Sequence, residues 1–580
     1  MVASTHWLAS SSGMAVLEKG GNAFDAAVAA GFVLQVVEPH LNGPAGEVPM
    51  IAWDARAERP FVVCGQGTAP AAATTDAFRE LGLDLVPGTG LLPACVPGQF
   101  GAWLLLLRDY GTLPLRDVLE YAIGYAEHGF PVVPRIASTV DLVADLFREH
   151  WLTSAALWLP GGAPPVPGQV FRNPELAATY TRLVEEGERA GSDRQAQIEA
   201  ARQAFYSGFV AETVASFAEH EVMDVSGEPH RGLLGYDDMA AWRASVEEPV
   251  SYDYRGHTVL KAGPWTQGPV FLQQLALLAG FDLDAYDPCS ADFVHLVTEC
   301  AKLAFADREA YYGDPAFADV PLDTLLLAAY NDERRKLVGD VADTGPLRPG
   351  AVAGEAPRLP RPVAAAGDAG SAGAVGEPTV QPSGLTRGDT CHLDVVDRWG
   401  NLVSATPSGG WLQSSPVIPG LGFALGTRGQ MYWLEDGLPA SLVPGKRPRA
   451  TLTPSLALRG GAPYLAFGTP GGDQQDQWSV LLFLRHVHHG MNLQEAIDAP
   501  AWHTSHFPSS FYPRQANPGR LHVEDRIGAD VLAELRSRGH EVVAEEPWSL
   551  GRLSAVSRGP DGLLKAGANP RGMQGYATGR

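Results

Sequence analysis

The sequence predicts an α/β protein in which a helix-rich first block precedes a strand-rich second block. Amphipathic segments of helical period dominate the residues before about 341, and short β-rich runs separated by turn signals follow after about 390. A stretch rich in Gly, Ala and Pro separates the two blocks. With 580 residues, 45% of them hydrophobic and 19% charged, the chain can bury a large core and is neither a coiled-coil rod nor wholly disordered.

The helices of the first block are predicted from apolar residues that recur every three to four positions. The first of them stops at a Gly-Gly pair, residues 20–21, which is a common helix end. The segments are 10–19, 23–37, 115–128, 174–186, 194–205 and 291–312.

Residues 341–389 are predicted to form a mobile, exposed linker. This stretch contains no Phe, Trp, Tyr or Ile, so it cannot bury enough apolar surface to offset the entropy lost on ordering. It divides the chain into residues 1–389 and 390–580.

The second block is predicted to alternate strands with turns and to end in helices. The run at 398–401 is one such turn signal. The predicted strands are 391–397, 402–406, 454–458 and 464–467, and the predicted helices are 477–489 and 528–538.

Charge and motif content exclude several classes of function. Lys and Arg number 43 against 66 Asp and Glu, and the net charge of −23 repels nucleic acid and anionic membranes. Five scattered cysteines form no zinc or disulfide pattern, and the His run at 485–489 fits a solvated helix end better than a metal site. With no signal-peptide or membrane-spanning pattern and no phosphate loop, we expect a cytoplasmic protein without cofactor, metal, nucleic-acid or membrane partner.

The junction between linker and strand carries the strongest chemical signal. A cut before Thr390 would expose an α-amino group beside the threonine hydroxyl, and an amine with a pKa of about 8 can serve as general base for that hydroxyl. Alone, a Thr that opens a strand is ordinary. Side-chain alternation turns the thiol of Cys391 away from Thr390 and returns His392 to the same side, so Cys391 is expected to pack in the core.

The neighbouring motifs resemble the γ-glutamyltransferase family along nearly the whole chain. They are GMAVLEKGGNAFDAAVAAGF, VPGQFGAW and ECAKLAFADREAYYGDP before the linker, and GDTCHLDVVDRWGNLVSATPSGG, PGKRPRATLTPSL and FGTPGGDQQDQ after it. The resemblance implies the αββα sandwich of N-terminal-nucleophile hydrolases. It also implies a precursor that cuts itself between Asp389 and Thr390 into two subunits that stay associated.

The resemblance assigns four catalytic positions. Thr390 is the nucleophile, and Ser408 supplies a hydroxyl that touches the amine of the nucleophile and assists cleavage. Gly471 and Gly472 correspond to the oxyanion hole, where each backbone N–H is typically worth about 3 kcal/mol of barrier.

The positions that hold a glutamyl group in this family differ here. The carboxylate-binding Arg corresponds to Gln66, and the ammonium-binding Asp falls near Tyr432 or Trp433, in a run that begins at Gln430. Two serines that bind the carboxylate are read as Ala450 and Thr451, and a nearby Asn becomes Gly410. Losing these clamps weakens binding of a zwitterionic glutamyl end. The candidate replacements are aromatic and basic residues, which otherwise fill the core: Trp411, Tyr432, Trp433, Trp478, Arg428, Arg447 and Arg449.

We therefore expect an autoprocessing Thr-nucleophile amidohydrolase or acyltransferase that is not optimised for glutathione, with the cephalosporin acylases of the family as one precedent. Its partners would be a small-molecule amide and its own cleaved fragment. A true γ-glutamyl transpeptidase or glutathione hydrolase is the main alternative. A biosynthetic relative that cleaves C–C bonds and a non-catalytic binding protein of the same fold also remain open.

Overall fold

Two antiparallel sheets, each flanked by helices, form the framework of the protein. The computed structural model describes residues 1–354, 356–361, 390–571 and 575–580. The first sheet has seven strands and the second has six. One three-stranded and two two-stranded sheets complete the strands of the described residues.

The strands are β1 (Val2–Ser4), β2 (Val48–Asp54), β3 (Arg59–Gly65), β4 (Phe130–Pro131), β5 (Val170–Phe171), β6 (Val222–Met223), β7 (Pro229–His230), β8 (Ser245–Glu247), β9 (Val250–Tyr254), β10 (His257–Lys261), β11 (Leu393–Val396), β12 (Leu402–Ala405), β13 (Ser455–Arg459), β14 (Ala462–Gly468), β15 (Trp502–Thr504), β16 (Arg520–Glu524), β17 (Glu541–Glu545), β18 (Ser554–Arg558), β19 (Leu564–Ala568) and β20 (Tyr576–Thr578). The first sheet has the strand order β20-β1-β11-β12-β2-β3-β8, and the second has the order β19-β18-β14-β13-β10-β9.

The α-helices are α1 (Trp7–Glu18), α2 (Ala23–Val37), α3 (Thr75–Glu80), α4 (Gln99–Tyr110), α5 (Leu115–His128), α6 (Pro134–Leu142), α7 (Ala144–Glu149), α8 (Leu152–Trp158), α9 (Pro174–Glu188), α10 (Arg194–Tyr206), α11 (Phe209–Ala218), α12 (Tyr236–Ala241), α13 (Pro269–Leu278), α14 (Ala291–Tyr311), α15 (Leu322–Leu325), α16 (Ala328–Arg335), α17 (Gln475–His489), α18 (Leu493–Asp498) and α19 (Ala529–Ser537). No helix in the described ranges is long and apolar enough to cross a membrane.

The layers follow from three apolar clusters. Side chains of both sheets, such as Ile51 and Leu456, form the core between the sheets. A second cluster packs helices that include α2, α4 and α5 onto the first sheet, and a third packs α13, α14 and α17 onto the second sheet. The expected αββα sandwich is confirmed, since each sheet buries one face on the other sheet and one under helices.

Residues from before and after the predicted cut share both sheets. In the first sheet, β11 lies between β1 and β12, and β12 pairs in turn with β2. In the second sheet, β10 pairs with β13. The stretches 1–389 and 390–580 therefore contribute strands to one sandwich and do not form separate domains.

Most predicted elements lie where the sequence placed them. Helix α2 coincides with the predicted 23–37, because Asn22 and Asp25 form a reciprocal capping box and the helix is buried along its whole length. Strands β11 to β14 and helices α17 and α19 match within a few residues. The strands of the first block were not predicted, although β2 and β3 provide central positions of the first sheet.

The start of the predicted linker is partly buried, although Val341 itself is exposed. Ala342 is buried, and the N–H of Gly350 donates to Asp307 at 2.7 Å. The hydroxyl of Tyr311 donates to the carbonyl of Gly350 at 2.6 Å. The side chains of Asp307 and Tyr311 in α14 thus bind the backbone of this part of the predicted linker. Glu355 and residues 362–389, including Asp389, lie outside the described residues.

Candidate active site

Thr390 lies just before β11, where the chain enters the first sheet. The N–H of Cys391 donates to the carbonyl of Pro407 at 2.9 Å, which extends the pairing of β11 with β12. Thr390 and Ser408 face each other in an antiparallel bridge, with their hydroxyl oxygens 3.1 Å apart. Both residues are buried. The structure thus brings together the predicted nucleophile and its predicted assisting hydroxyl.

Glu47 and Arg428 hold Ser408 in place from the side opposite Thr390. The backbone of Ser408 exchanges two hydrogen bonds with that of Glu47, at 2.8 and 3.0 Å. Arg428 donates from Nη2 to Ser408 Oγ at 3.0 Å and from Nε to Glu47 Oε1 at 2.6 Å. A guanidinium is a donor only, so it places positive charge beside the paired hydroxyls and favours negative charge developing on them.

The Glu47–Arg428 pair is buried, and Gly46, which precedes Glu47, lies in close contact with the backbone of Ser408. Burial raises the pKa of Glu47, while the Arg428 guanidinium opposes that rise. A Cβ on Gly46 would lie 2.0 Å from the carbonyl oxygen of Ser408, so only glycine allows the two backbones to approach this closely. Sequence reasoning named Arg428 only as a nearby basic residue and did not single out Glu47.

The predicted oxyanion pair lies in a tight turn between β14 and α17. Gly471 has φ 125° and Gly472 φ 54°, both in the left-handed region that favours glycine. A Cβ on Gly471 would lie 2.3 Å from the ring of Trp478. Neither backbone N–H donates a hydrogen bond to a described residue, and both precede a helix N-terminus, where unpaired N–H groups attract anions.

Arg552 connects this turn to the nucleophile. Its backbone N–H donates to Thr469 Oγ1 at 3.1 Å, and its side-chain Nη2 donates to the carbonyl oxygen of Thr390 at 3.3 Å. In addition, Gly468 packs directly against His392, two residues after Thr390. The free N–H groups and the paired hydroxyls thus belong to adjoining segments, as acyl transfer requires.

The predicted core role of Cys391 agrees with its surroundings. The thiol is fully buried and donates to Glu38 Oε2 at 3.0 Å. Burial, together with the charge of Glu38, raises the pKa of the thiol well above its ordinary value. A thiol that resists ionisation is a poor nucleophile.

The predicted substrate-binding positions are all buried, but they fall in different places. Gln430 lies in a turn that starts at Arg428, and its Oε1 accepts from the N–H of Tyr512 at 3.1 Å. Ala450 approaches the oxyanion turn through Gln267, whose N–H donates to Ala450 and whose side chain donates to Gly472. The hydroxyl of Thr451 has no hydrogen-bond partner among the described residues.

Gln66 stands apart from the other predicted positions. Its side-chain amide donates to the neighbouring Gly67 carbonyl at 3.1 Å, and its Oε1 has no partner in the described part of the chain. No hydrogen bond joins it to another predicted site residue among the described ranges. An uncharged amide that donates to the neighbouring backbone carbonyl cannot bind a carboxylate through two charged hydrogen bonds, as an arginine does.

Two of the aromatic residues named from the sequence, Trp411 and Trp433, lie against guanidinium groups. The guanidinium of Arg428 lies over the ring of Trp411 at 5.2 Å, and that of Arg514 lies over the ring of Trp433 at 4.3 Å. Arg514 was not identified from the sequence, because nothing in the run FYPRQ around it marks a site. The fold brings it to Trp433 from a loop between β15 and β16.

One group of side chains has the composition of a metal site. Ligand atoms of His295, Glu299 and His540 lie within 4.8 Å of one another, and all three residues are buried. The ammonium of Lys302 donates to Glu299 Oε1 at 2.6 Å. The ring nitrogens His295 Nδ1 and His540 Nε2 share a hydrogen bond of 2.9 Å. The ammonium of Lys302 therefore already provides the positive charge that a bound metal cation would otherwise bring to Glu299.

The family comparison covers almost the full chain. The family model described as Gamma-glutamyltranspeptidase matches residues 9–579. The Glutathione hydrolase-like YwrD proenzyme of Bacillus subtilis (strain 168) is 32% identical, and the match covers 100% of this chain and 98% of the relative.

Two further similarities extend this result. The Acylase ACY 1 proenzyme of Pseudomonas sp. (strain V22) is 32% identical, over 98% of this chain and 91% of the relative. A solved structure titled "Structure of LmbA2991HD" has 58% identity and a TM-score of 0.93, over 100% of this chain and 98% of that one.

Proposed function

Because the chain belongs to the gamma-glutamyltranspeptidase family, we propose that it is a self-processing amidohydrolase or acyltransferase in which Thr390 carries the acyl group. The observation that supports this most directly is the 3.1 Å contact between the hydroxyls of Thr390 and Ser408 at the start of β11. Two proenzymes at 32% identity over nearly the whole chain support the processing step.

Processing begins with an attack of Thr390 Oγ1 on the carbonyl carbon of Asp389. The C–N bond between the two residues breaks, the proton from the hydroxyl passes to the departing nitrogen, and an ester links Asp389 to Thr390. Water then hydrolyses the ester and leaves a free carboxyl group on Asp389 and a free amine on Thr390. Ser408, held by Arg428, is placed to bond the attacking oxygen.

Turnover reuses the same hydroxyl with the new amine as base. An α-amine with a pKa of about 8 accepts the hydroxyl proton as Thr390 attacks a substrate amide. The free N–H groups of Gly471 and Gly472 stabilise the tetrahedral oxyanion. The amine product leaves with the proton, and water or a second amine releases the acyl group from the ester.

The acyl group is proposed to differ from the γ-glutamyl group of glutathione. The neutral or aromatic character of Gln66, Trp433, Ala450 and Thr451 removes the charged clamps for a zwitterion. A relative named as an acylase, similar along 98% of this chain, is consistent with another amide substrate.

The two pieces are proposed to remain together as a heterodimer. Each sheet joins strands from both sides of the cut: β11 and β12 lie between β1 and β2 in the first sheet, and β10 pairs with β13 in the second. Separating the pieces would break these ladders and expose the core between the sheets, so each piece is the obligatory partner of the other.

Gel analysis and N-terminal sequencing test the processing step. Purified protein should run as two bands under denaturing conditions, and the smaller band should begin at Thr390. Thr390→Ala should give one full-length band, and Thr390→Ser should restore cleavage. A single band for the wild type, with turnover intact, would refute the proposal.

An amide panel tests the acyl specificity. We expect faster hydrolysis of glutaryl-p-nitroanilide than of γ-glutamyl-p-nitroanilide. The second candidate function, a γ-glutamyl hydrolase or transpeptidase, is supported by the similarity to the relative named glutathione hydrolase-like. A strong preference for the γ-glutamyl compound would decide for it.

A further inference from the structure

Arg552 contacts both the candidate nucleophile and the segment that leads into the oxyanion turn. Its side-chain Nη2 donates to the carbonyl oxygen of Thr390 at 3.3 Å, and its backbone N–H donates to Thr469 Oγ1 at 3.1 Å. Thr469 lies two residues before Gly471, and Arg552 is buried. One residue therefore links the start of β11 to the loop before α17.

The backbone around Arg552 is held on both sides. Gly551 packs against Trp478, whose ring would lie 3.5 Å from a Cβ at this glycine. Ser554 opens β18 two residues after Arg552, and its hydroxyl donates to Asp394 Oδ2 in β11 at 2.8 Å. In addition, β18 pairs with β14, which ends just before the oxyanion turn. The guanidinium thus extends from a backbone that is fixed relative to both β11 and that turn.

The proposed cut would make the contact with Thr390 more important. Thr390 is joined to the chain on both sides before the cut and becomes a terminus after it, and terminal residues are poorly ordered unless other contacts hold them. The bridge to Ser408 holds one side of Thr390, and Arg552 holds its carbonyl. A shift of about 1 Å in a reacting group can lower a rate by about 100-fold. We therefore expect this contact to matter during turnover.

The guanidinium also places a positive charge near the amine that the cut would expose. Since carbonyl and amine belong to one residue, Nη2 lies within about 7 Å of the Thr390 nitrogen. Arg552 forms no ion pair with a described carboxylate, and its Nη1 has no hydrogen-bond partner in the same ranges. Burial and Glu38 raise the pKa of the adjacent Cys391 thiol, and the charge of Arg552 opposes that rise. A nearby cation lowers the pKa of an amine in the same way.

Other titratable and charged groups also surround the start of β11. Arg428 is paired with Glu47, which offsets its charge. The carboxylate of Glu38 accepts a hydrogen bond from the hydroxyl of Thr5 at 2.6 Å. These groups are the same in wild type and in Arg552 variants, so a change in the titration of the amine is assigned to Arg552. The set consists of Glu38, His40, Glu47, Arg135, Cys391, His392, Asp394 and Arg428.

We propose that Arg552 is a positioning residue for the freed Thr390. Its guanidinium holds the Thr390 carbonyl in place relative to the oxyanion turn and favours the neutral form of the new α-amine. The neutral amine is the form that accepts the proton of the threonine hydroxyl. The proposal rests on the acyl-transfer function proposed above, and it requires no contact between Arg552 and the substrate.

Steady-state kinetics on the processed enzyme test the positioning role. The substrate is glutaryl- or γ-glutamyl-p-nitroanilide, whichever the wild type cleaves faster. Arg552→Met should lower kcat about tenfold or more while KM stays within about twofold, and Arg552→Lys should restore part of kcat. Arg485→Met is the matched control and should keep the wild-type kcat, since Arg485 is also buried and donates to a backbone carbonyl, that of Pro500. An unchanged kcat in Arg552→Met, or a loss confined to KM, overturns the role.

The pH profile tests the effect of the charge. Without the guanidinium the pKa of the amine rises, so the acid limb of kcat/KM should move up by about 0.5–1 pH unit in Arg552→Met. Arg552→Gln should show the same shift and replaces Arg552→Met if that variant does not mature. Arg552→Lys keeps the charge and should leave the limb in place. A limb at the same pH in wild type and in the neutral variants overturns the effect of the charge.

A titration that needs no turnover separates this inference from the proposed function. The mature protein is methylated with ¹³C-formaldehyde under reducing conditions, and the NMR signal of the Thr390 amine is followed against pH. Its assignment comes from its absence in uncut Thr390→Ala. If the processed wild type hydrolyses no amide, the proposed function fails, while a higher amine pKa in Arg552→Gln than in the wild type still supports the inference. Equal amine pKa values in the two proteins overturn it.

Discussion

Removing Arg428 should destabilise the protein because it leaves Glu47 buried without its counter-ion. The carboxylate of Glu47 is 5% exposed and accepts from Arg428 Nε at 2.6 Å. Breaking a buried pair on one side typically costs about 3–5 kcal/mol, whereas replacing both partners by neutral groups is often close to neutral. We expect Arg428→Met to lose about 3–5 kcal/mol of unfolding free energy, and Glu47→Gln/Arg428→Met to recover most of it.

The pH dependence of this variant gives a second, signed expectation. The folded-state pKa of Glu47 already lies above its ordinary value of 4.5 because of burial, and Arg428 is the group that lowers it. Without Arg428 the pKa rises further. A group whose folded pKa is raised stabilises fully below its unfolded pKa and loses that contribution as pH rises through the folded pKa. The single variant should therefore gain stability relative to the parent as pH falls from 8 to 5.

Urea unfolding is the appropriate assay, on the Thr390→Ala background so that the chain stays in one piece. Processing on the Thr390 background gives the second readout, because both Arg428 variants lose the donor to Ser408 Oγ. The double variant should therefore be stable yet cleave slowly. A loss below about 1 kcal/mol for Arg428→Met, or a double variant no more stable than the single one, would refute this reasoning.

Three further predictions concern the oxyanion turn, a buried ion pair between β10 and α17, and Cys391. Gly471→Ala should lower kcat about 100-fold or more, measured on processed enzyme, because a Cβ would lie 2.3 Å from the Trp478 ring and displace an oxyanion donor. Lys261→Met should destabilise by about 3–5 kcal/mol in urea titrations, since it leaves Asp476 buried without its ion partner at 3.0 Å. Burial raises the pKa of Asp476 to about 6 from 3.8, so its contribution to stability should fall as pH rises between these values. Cys391→Ser should still yield the two bands, and iodoacetamide should label native Cys391 slowly, because its thiol is buried with a raised pKa.

Local signals in the sequence predicted much of the fold. Helix α2 was found at its predicted bounds because its cap residues and its apolar run are contiguous. The strands β2 and β3 were missed although they pair with each other as a local hairpin. Both faces of these strands are largely buried, so they lack the alternation of polar and apolar residues that marks a half-exposed strand.

The same distinction explains what was predicted of the site. Thr390 and Ser408 lie in one motif, and Gly471 and Gly472 lie in another, so the sequence alone could identify all four residues. Arg428 and Glu47 are 381 residues apart in sequence, and their role depends on the ion pair formed by folding. Arg514 likewise could not be found from the sequence, because only folding brings its guanidinium over the ring of Trp433.

The interleaved sheets also determine when the proposed cut can happen and what it would leave behind. Thr390 and Ser408 face each other at the end of the β11–β12 pair, but the Glu47 and Arg428 contacts of Ser408 form only on folding, so the intact chain should fold before it breaks. Once the bond is gone, the linkage that kept both pieces at high effective concentration is lost. A mature molecule that unfolds in dilute solution should then fail to reassemble, and its useful lifetime would be set by how slowly the strands unpair.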